Sequence, residues 1–266
     1  FVESLAQKLI DERGPKSEGN WIYYPWTSQL IHVLKEDKFI EVRTNRNKYK
    51  ITDEEQQKLS TKVIGIAGIS VGRALAKTAI LERICGEIRI ADFDVLELSN
   101  LNRIDVGIDE LGVNKAISTA REISKLDPFM KVRVFRKGLN EENVNAFFLE
   151  GGKMDLFVEE CDSLDINISA RSHAKSLQIP VFMEASDRCM IDIERFDLEP
   201  DRPILHGLLE DVDLDDLKKL RTDEEKPPYL LKMVGLDTLS IRMRSRMLEI
   251  EERVISWPQL GSSVIM

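Results

Sequence analysis

The stretch Val63-Ile64-Gly65-Ile66-Ala67-Gly68-Ile69-Ser70-Val71-Gly72-Arg73 decides the fold. A short β-branched run ends in a turn of small residues, and residues 68–81 then read as a helix. A strand that feeds a helix through such a turn leaves backbone amides and the helix N-terminus facing an anion. A second apolar run, residues 88–91, ends in Asp92, 24 positions beyond Gly68. An acid at that place commonly accepts hydrogen bonds from ribose hydroxyls. Together the turn and the acid predict a nucleotide-binding α/β domain.

The alternation continues downstream. Residues 113–125 read as a helix that stops before Asp127-Pro128, and 132–135 as a strand. Asn140 is placed to cap the next helix, 156–159 is a strand, 162–177 a helix and 179–183 another strand. Apolar strands separated by helices predict a Rossmann-like, mostly parallel sheet with helices on both faces. Residues 190–197 alternate with period two and read as a half-exposed antiparallel strand.

Upstream, residues 1–58 are expected to form a helical N-terminal segment. Leu5, Leu9 and Ile10 have helical spacing, Gly14-Pro15 interrupts, and 29–35 reads as a second helical stretch. Trp21, Tyr23, Tyr24 and Trp26 are expected to pack against the following domain. The domain plan is then 1–58, a nucleotide-binding unit over 59–200, and a crossover segment with a terminal helix over 201–266. The acidic run 210–225 reads as a solvated face, and 236–255 as an amphipathic helix burying Leu239, Met243, Met247 and Ile250.

Composition narrows the function. The 266 residues are 42% hydrophobic and 32% charged, enough apolar material for a core. A net charge of −9 disfavours broad nucleic-acid binding, which needs a basic surface. No apolar run approaches the roughly 18–20 residues of a membrane span. Cys85, Cys161 and Cys189 are odd in number and widely spaced, with no CxxC pair for a structural zinc. A reducing, cytoplasmic setting is the expectation. The start at Phe1 and the apolar end at Val264-Ile265-Met266 are expected of part of a longer protein.

The end of the second strand carries more than a dinucleotide enzyme needs. Acid, amide and guanidinium groups crowd Asp92-Phe93-Asp94 and Ser99-Asn100-Leu101-Asn102-Arg103. Gly112-Val113-Asn114-Lys115 then places an ammonium near a helix start, where it can neutralise a triphosphate. Asp92 suits ribose, Asp94 a metal, and Asn100 with the Arg103 fork suits phosphate oxygens. Cys85 and Cys161 read as packing residues, and Cys189 lies beside Arg188, which favours a thiolate. His32, His173 and His206 have no metal-ligand spacing.

These motifs resemble the ThiF-type adenylyltransferases, which include the ubiquitin-activating and molybdopterin-synthase-activating enzymes. The resemblance runs over about residues 43–197. It rests on Gly68 onward, Asp92-Phe93-Asp94, Ser99 to Arg103, Gly112 to Lys115 and Glu160-Cys161-Asp162, with Arg43-Thr44-Asn45-Arg46-Asn47 upstream. It implies an ATP·Mg site in which a carboxylate attacks the α-phosphate, giving an acyl-adenylate and pyrophosphate. Asp92 would hold ribose, while Asn100, Arg103 and Lys115 would contact phosphates. Asp162 would bind magnesium, and Arg46 would reach the γ-phosphate from the other subunit of a homodimer. The implied partner is a ubiquitin-like protein or peptide with a free C-terminal carboxylate. The order also resembles the front part of fusions in which a nitroreductase-like domain follows.

The family turn is rich in glycine, whereas here Ser70 and Val71 add side chains between Gly68 and Gly72, and Arg73 stands at the last glycine. Arg73 is expected either to contact phosphates or to fill the site. Two other readings follow: a catalytically silent ThiF-fold scaffold, or a NAD- or FAD-dependent oxidoreductase resting on the turn and Asp92 alone.

Overall fold

The computed structural model describes residues 19–161, 163–185 and 190–209, with short pieces around 229, 232, 239–244 and 259–260. Its centre is a six-stranded sheet. The strands are β3 (Val63–Ala67), β4 (Glu87–Ala91), β5 (Lys131–Phe135), β6 (Leu156–Glu159), β7 (Val181–Ala185) and β8 (Met190–Glu194). Across the sheet the order is β5-β4-β3-β6-β7-β8. The first five strands are parallel, and β8 runs antiparallel beside β7. The chain therefore winds outward in one direction from β3 and in the other from β6. Between those two strands it leaves the crevice where open α/β sheets bind ligands.

Alternate side chains of each strand feed two cores. Ile64, Ile66, Ile88, Ile90 and Val158 face α3 (Gly72–Glu82) and α4 (Lys115–Leu126), meeting Ala76, Ile80, Ala116 and Ile123. On the opposite face Ala67, Ala91 and Phe157 meet α5 (Val144–Leu149) and α6 (Leu164–Ser176), through Phe147, Phe148, Ala170 and Ala174. Burial on both faces is why these strands read as near-continuous apolar runs. Asn140 does not cap α5 directly. Its Oδ1 accepts from the Glu142 and Asn143 amides, shaping a turn that precedes the helix.

The N-terminal expectation needs correction. Residues 29–33 are not helical: they form β2 (Gln29–Val33), paired antiparallel with β1 (Asn20–Tyr24). Antiparallel pairing with residues 20–24 outweighs local helical spacing here. Trp21 and Tyr23 pair with His32 and Leu30 on the outer face, and Trp21 is 63% exposed. Tyr24 turns inward, and its hydroxyl donates to the Ser124 carbonyl at 2.9 Å. The Arg121 guanidinium lies over the Trp26 ring. So Tyr24 and Trp26 dock the hairpin on α4 as expected, whereas Trp21 and Tyr23 do not. Helices α1 (Glu36–Arg43) and α2 (Asp53–Leu59) follow. The proposed helical spacing of Leu5 to Ile10, the acidic run 210–225 and most of 236–255 lie outside the described residues. Among the described residues no helix is long and apolar enough to cross a membrane.

Strand β8 is the half-exposed antiparallel strand expected of this stretch, with its apolar side chains outward. Ile191 and Ile193 face solvent, while Asp192 and Glu194 turn inward. The cause is Arg171 on α6, fully buried, which bonds Glu194, Asp192 Oδ2 (3.0 Å) and Glu159 Oε2 (3.4 Å). Removing the cation from such a cluster leaves buried charge uncompensated. Arg171→Met is expected to lower unfolding stability by about 3–5 kcal/mol in urea titration. A loss below about 1 kcal/mol would mean that the acids do not depend on Arg171.

Candidate functional site

The site lies at the carboxyl ends of β3, β4 and β6. At the end of β3, Gly68 takes φ +88°, and a Cβ there would overlap the Glu160 carbonyl at the end of β6. Glycine is required on both counts. Its amide donates to the Ala91 carbonyl at 3.0 Å, tying the turn to β4. Neither Ser70 nor Val71 takes a positive φ, and Val71 is already helical at φ −78°, ψ −47°. The turn therefore accommodates these two side chains without backbone strain. Helix α3 begins at Gly72, and its N-cap Val71 makes no side-chain cap bond; the Ala74 amide turns back to the Val71 carbonyl at 3.0 Å. A Cβ on Gly72 would press on Ile66, so this glycine sets how closely α3 sits on β3.

Arg73 points onto α4, which corrects the expectation that it fills the site. Its guanidinium is buried against α4, donating to Ser118 Oγ (3.1 Å) and Thr119 Oγ1 (2.9 Å) and pairing with Glu122 (2.6 Å). Burial lowers its pKa against the opposing pull of Glu122. Arg73 clamps two helices together and neither contacts nor fills the turn.

Asp92 ends β4 and is buried. Its Oδ2 accepts from the Ile69 amide at 2.7 Å and its Oδ1 from the Asp94 amide at 2.8 Å. Burial raises its pKa, opposed by those two amides and by Lys115. Asp94, half-exposed, accepts from Lys115 Nζ at 2.8 Å. Lys115 is the first residue of α4 and its side chain is buried along most of its length. Phe93, between the two acids, is 68% exposed, with its ring against Gly138 beyond β5.

The structure brings Gly68, Ser70, Gly72, Asp92, Asp94 and Lys115 to one place. Asn100 and Arg103 shape the loop that follows. Asn100 is buried and its Oδ1 accepts from the Glu97 amide, while Arg103 Nη1 donates to Ser99 O and Asn102 Oδ1. Arg46 is elsewhere in this chain. It is exposed, and its neighbour Asn47 bonds the Glu82 carbonyl at the far end of α3. An 11-residue helix is about 16 Å long, so the phosphate turn and Arg46 sit at opposite ends of α3. Asp162 and Cys189 lie outside the described residues. Among the described residues no group of three or more His, Cys, Asp or Glu side chains is arranged to hold a metal ion. Cys85 is buried, and desolvation pushes its thiol up to about 12, as expected of a packing residue.

Two site residues escaped the sequence reading. Asn114, quoted only as a spacer before Lys115, bonds three backbone carbonyls. Glu160, quoted only as the neighbour of Asp162, extends the ladder to the Ala67 carbonyl and accepts the Glu184 amide on Oε1. Burial pushes the Glu160 carboxyl well up, reinforced by Glu159 and Glu184 and opposed by that amide.

The ThiF family profile matches residues 43–233, and the chain belongs to that family. It is 42% identical over 269 residues to the uncharacterized protein MT1398 of Mycobacterium tuberculosis (strain CDC 1551 / Oshkosh), covering 99% of this chain and 37% of that protein. The chain thus spans a little over a third of that relative's length. It is 22% identical to the molybdopterin-synthase adenylyltransferase of Haemophilus influenzae (strain ATCC 51907 / DSM 11121 / KW20 / Rd), over 58% of this chain and 62% of that one. The E. coli tRNA N6-threonylcarbamoyladenosine dehydratase TcdA, solved in complex with ATP, shares the fold. Its TM-score is 0.52 at 20% identity, covering 59% of this chain and 64% of TcdA.

An acid whose pKa is higher folded than unfolded destabilises the fold once pH rises past its unfolded value, about 4.3 for Glu. Glu160→Gln keeps an oxygen for the Glu184 amide and removes the charge. It is expected to raise the urea midpoint at pH 7, with the gain shrinking as pH falls and vanishing below about pH 4. A gain independent of pH would show that ionisation is not its source.

Proposed function

We propose that this chain binds ATP across the ends of β3 and β4 and transfers its adenylyl group to a carboxylate. One observation carries the reading: the Asp92 carboxylate bonds the Ile69 amide inside the phosphate turn. This fixes a ribose acceptor against the anion-binding backbone. An ionised carboxylate offers about four lone-pair sites. The Ile69 and Asp94 amides use two, and two remain for ribose hydroxyls.

The triphosphate would lie over the uncapped start of α3, where amides and the helix dipole favour negative charge. Lys115, held at rest by Asp94, supplies a cation that phosphate oxygens can take over. Magnesium would sit on the phosphates beside Asp162, neutralising charge on the leaving pyrophosphate. A substrate carboxylate oxygen then attacks the α-phosphorus, and the bond to pyrophosphate breaks. The nucleophile is ionised at pH 7, so no general base is needed. Positioning and charge neutralisation account for the catalysis.

Arg46 would serve the site of a second copy of the chain, which its place at the far end of α3 favours. The substrate would be a ubiquitin-like protein or a peptide ending in a free carboxylate. The place of Arg73, withdrawn into α4, weighs against a silent scaffold with a filled turn. The Asp94–Lys115 pair beside the ribose acid suits a triphosphate better than a dinucleotide.

Calorimetric titration with ATP and, separately, NAD, each with magnesium, tests the reading. ATP is expected to bind in preference to NAD, and Asp92→Ala to weaken ATP at least tenfold, or about 1.4 kcal/mol. Lys115→Ala should abolish ATP–pyrophosphate exchange in the presence of a carboxylate substrate. Tight NAD binding, or failure to bind either nucleotide, would overturn the proposal.

A further inference from the structure

Asn114 makes more bonds than its place at a helix start requires. Its Oδ1 accepts from the Ile117 amide at 3.1 Å, which caps α4. That bond alone satisfies a cap, and Ser, Thr or Asp would make it equally well. The other end of the amide points back into the sheet. Nδ2 lies 3.0 Å from the Asp92 carbonyl, 3.0 Å from the Asp94 carbonyl and 3.3 Å from the Arg136 carbonyl. Two hydrogens serve three acceptors, so at least one is shared. Among good capping residues, Asn alone brings an NH2 group to these carbonyls.

The backbone nearby is zipped only in part. Leu96 donates to Val113 O, Gly112 to Leu96 O and Lys115 to Asp94 O. These bonds join the β4 extension to the start of α4. The Asn114 amide adds the exit of β5, through Arg136, and the carbonyl of Asp92 itself. One side chain thereby locks three segments together: the β4 extension bearing Asp92 and Asp94, the β5 exit at Arg136, and the start of α4 bearing Lys115.

We propose that Asn114 is the positioning residue of the nucleotide site, holding the backbone that bears Asp92 and the backbone that bears Lys115 in one fixed arrangement. The inference rests on the ATP reading above. Asn114 touches no reacting atom. It removes the freedom of two backbone positions, 23 apart in the chain, to drift relative to one another, while the Lys115 side chain stays free to change partner.

Two variants separate positioning from capping. Asn114→Ser keeps a cap and loses the NH2 group, and Asn114→Ala loses both. Both are titrated with ATP and magnesium by calorimetry, melted, and followed by amide hydrogen exchange at Asp94 and Lys115. The expected result is an ATP Kd raised at least tenfold in both variants. The Ser protein should melt closer to wild type than the Ala protein, and both should show faster exchange of the Lys115 amide. A Ser variant with ATP affinity within twofold of wild type would overturn the proposal and leave Asn114 a helix cap. Should wild type fail to bind ATP, the nucleotide reading falls first. Exchange then decides on Asn114 alone, and unchanged Lys115 exchange in the Ser variant would sink it.

Discussion

At the end of β3 the chain turns through Gly68 so close to the Glu160 carbonyl that no side chain fits between them. This contact joins the two strands from which the sheet winds in opposite directions. Moving it outward by the width of a methyl group would part β3 from β6 at their exits. It would also carry the start of α3 away from the sheet, and with it the Ile69 amide that Asp92 holds. The site is therefore a consequence of close backbone packing at the switch point. Its polar groups inherit their places from that packing.

Charge is organised differently on the two sides of the crevice. On the β4 side each ionised group of the site has a partner that can yield. Asp92 is bonded by backbone amides with lone pairs to spare, and Lys115 rests on a half-exposed Asp94. On the proposed function, an incoming anion takes the lysine while Asp94 turns to water. On the β6 side the partners are buried and fixed. Arg171 gathers Glu159, Asp192 and Glu194, and His206 bonds Asp192 from the short turn after β8. The Arg202 guanidinium in turn bonds His206 Nδ1 at 3.1 Å. That network braces the sheet edge and the turn beyond it, whereas the β4 side is arranged to exchange partners.

The parallel sheet was legible because each strand is buried on both faces and reads as an apolar run, with helices of amphipathic period between. The turn at Gly68 and the place of Asp92 beside it were legible because strand-turn-helix geometry constrains residue type locally. Three features were not. Residues 29–33 became a strand because pairing with residues 20–24 decided the matter, and pairing is nonlocal. The inward acids of β8 depend on Arg171, which reaches them from α6. Arg73 occupied a suspect position in the turn, but its side chain follows Ser118, Thr119 and Glu122, some 45 residues away. In each case the deciding partner is distant in sequence, and a linear motif carries no trace of it. Asn114 is the subtler case: the sequence shows a good cap, and only the strand exits explain why the cap is an amide.

On the proposed function, nucleotide binds where Gly68 and Asp92 converge. A crystal structure of the chain with a non-hydrolysable ATP analogue and magnesium tests it most directly. Ribose hydroxyls are expected on the Asp92 carboxylate, phosphates over the first amides of α3, and Lys115 released from Asp94 toward the phosphates. Nucleotide bound away from the β3–β4 exits, or bound there with the Asp94–Lys115 pair intact and the α3 amides uncontacted, would contradict it.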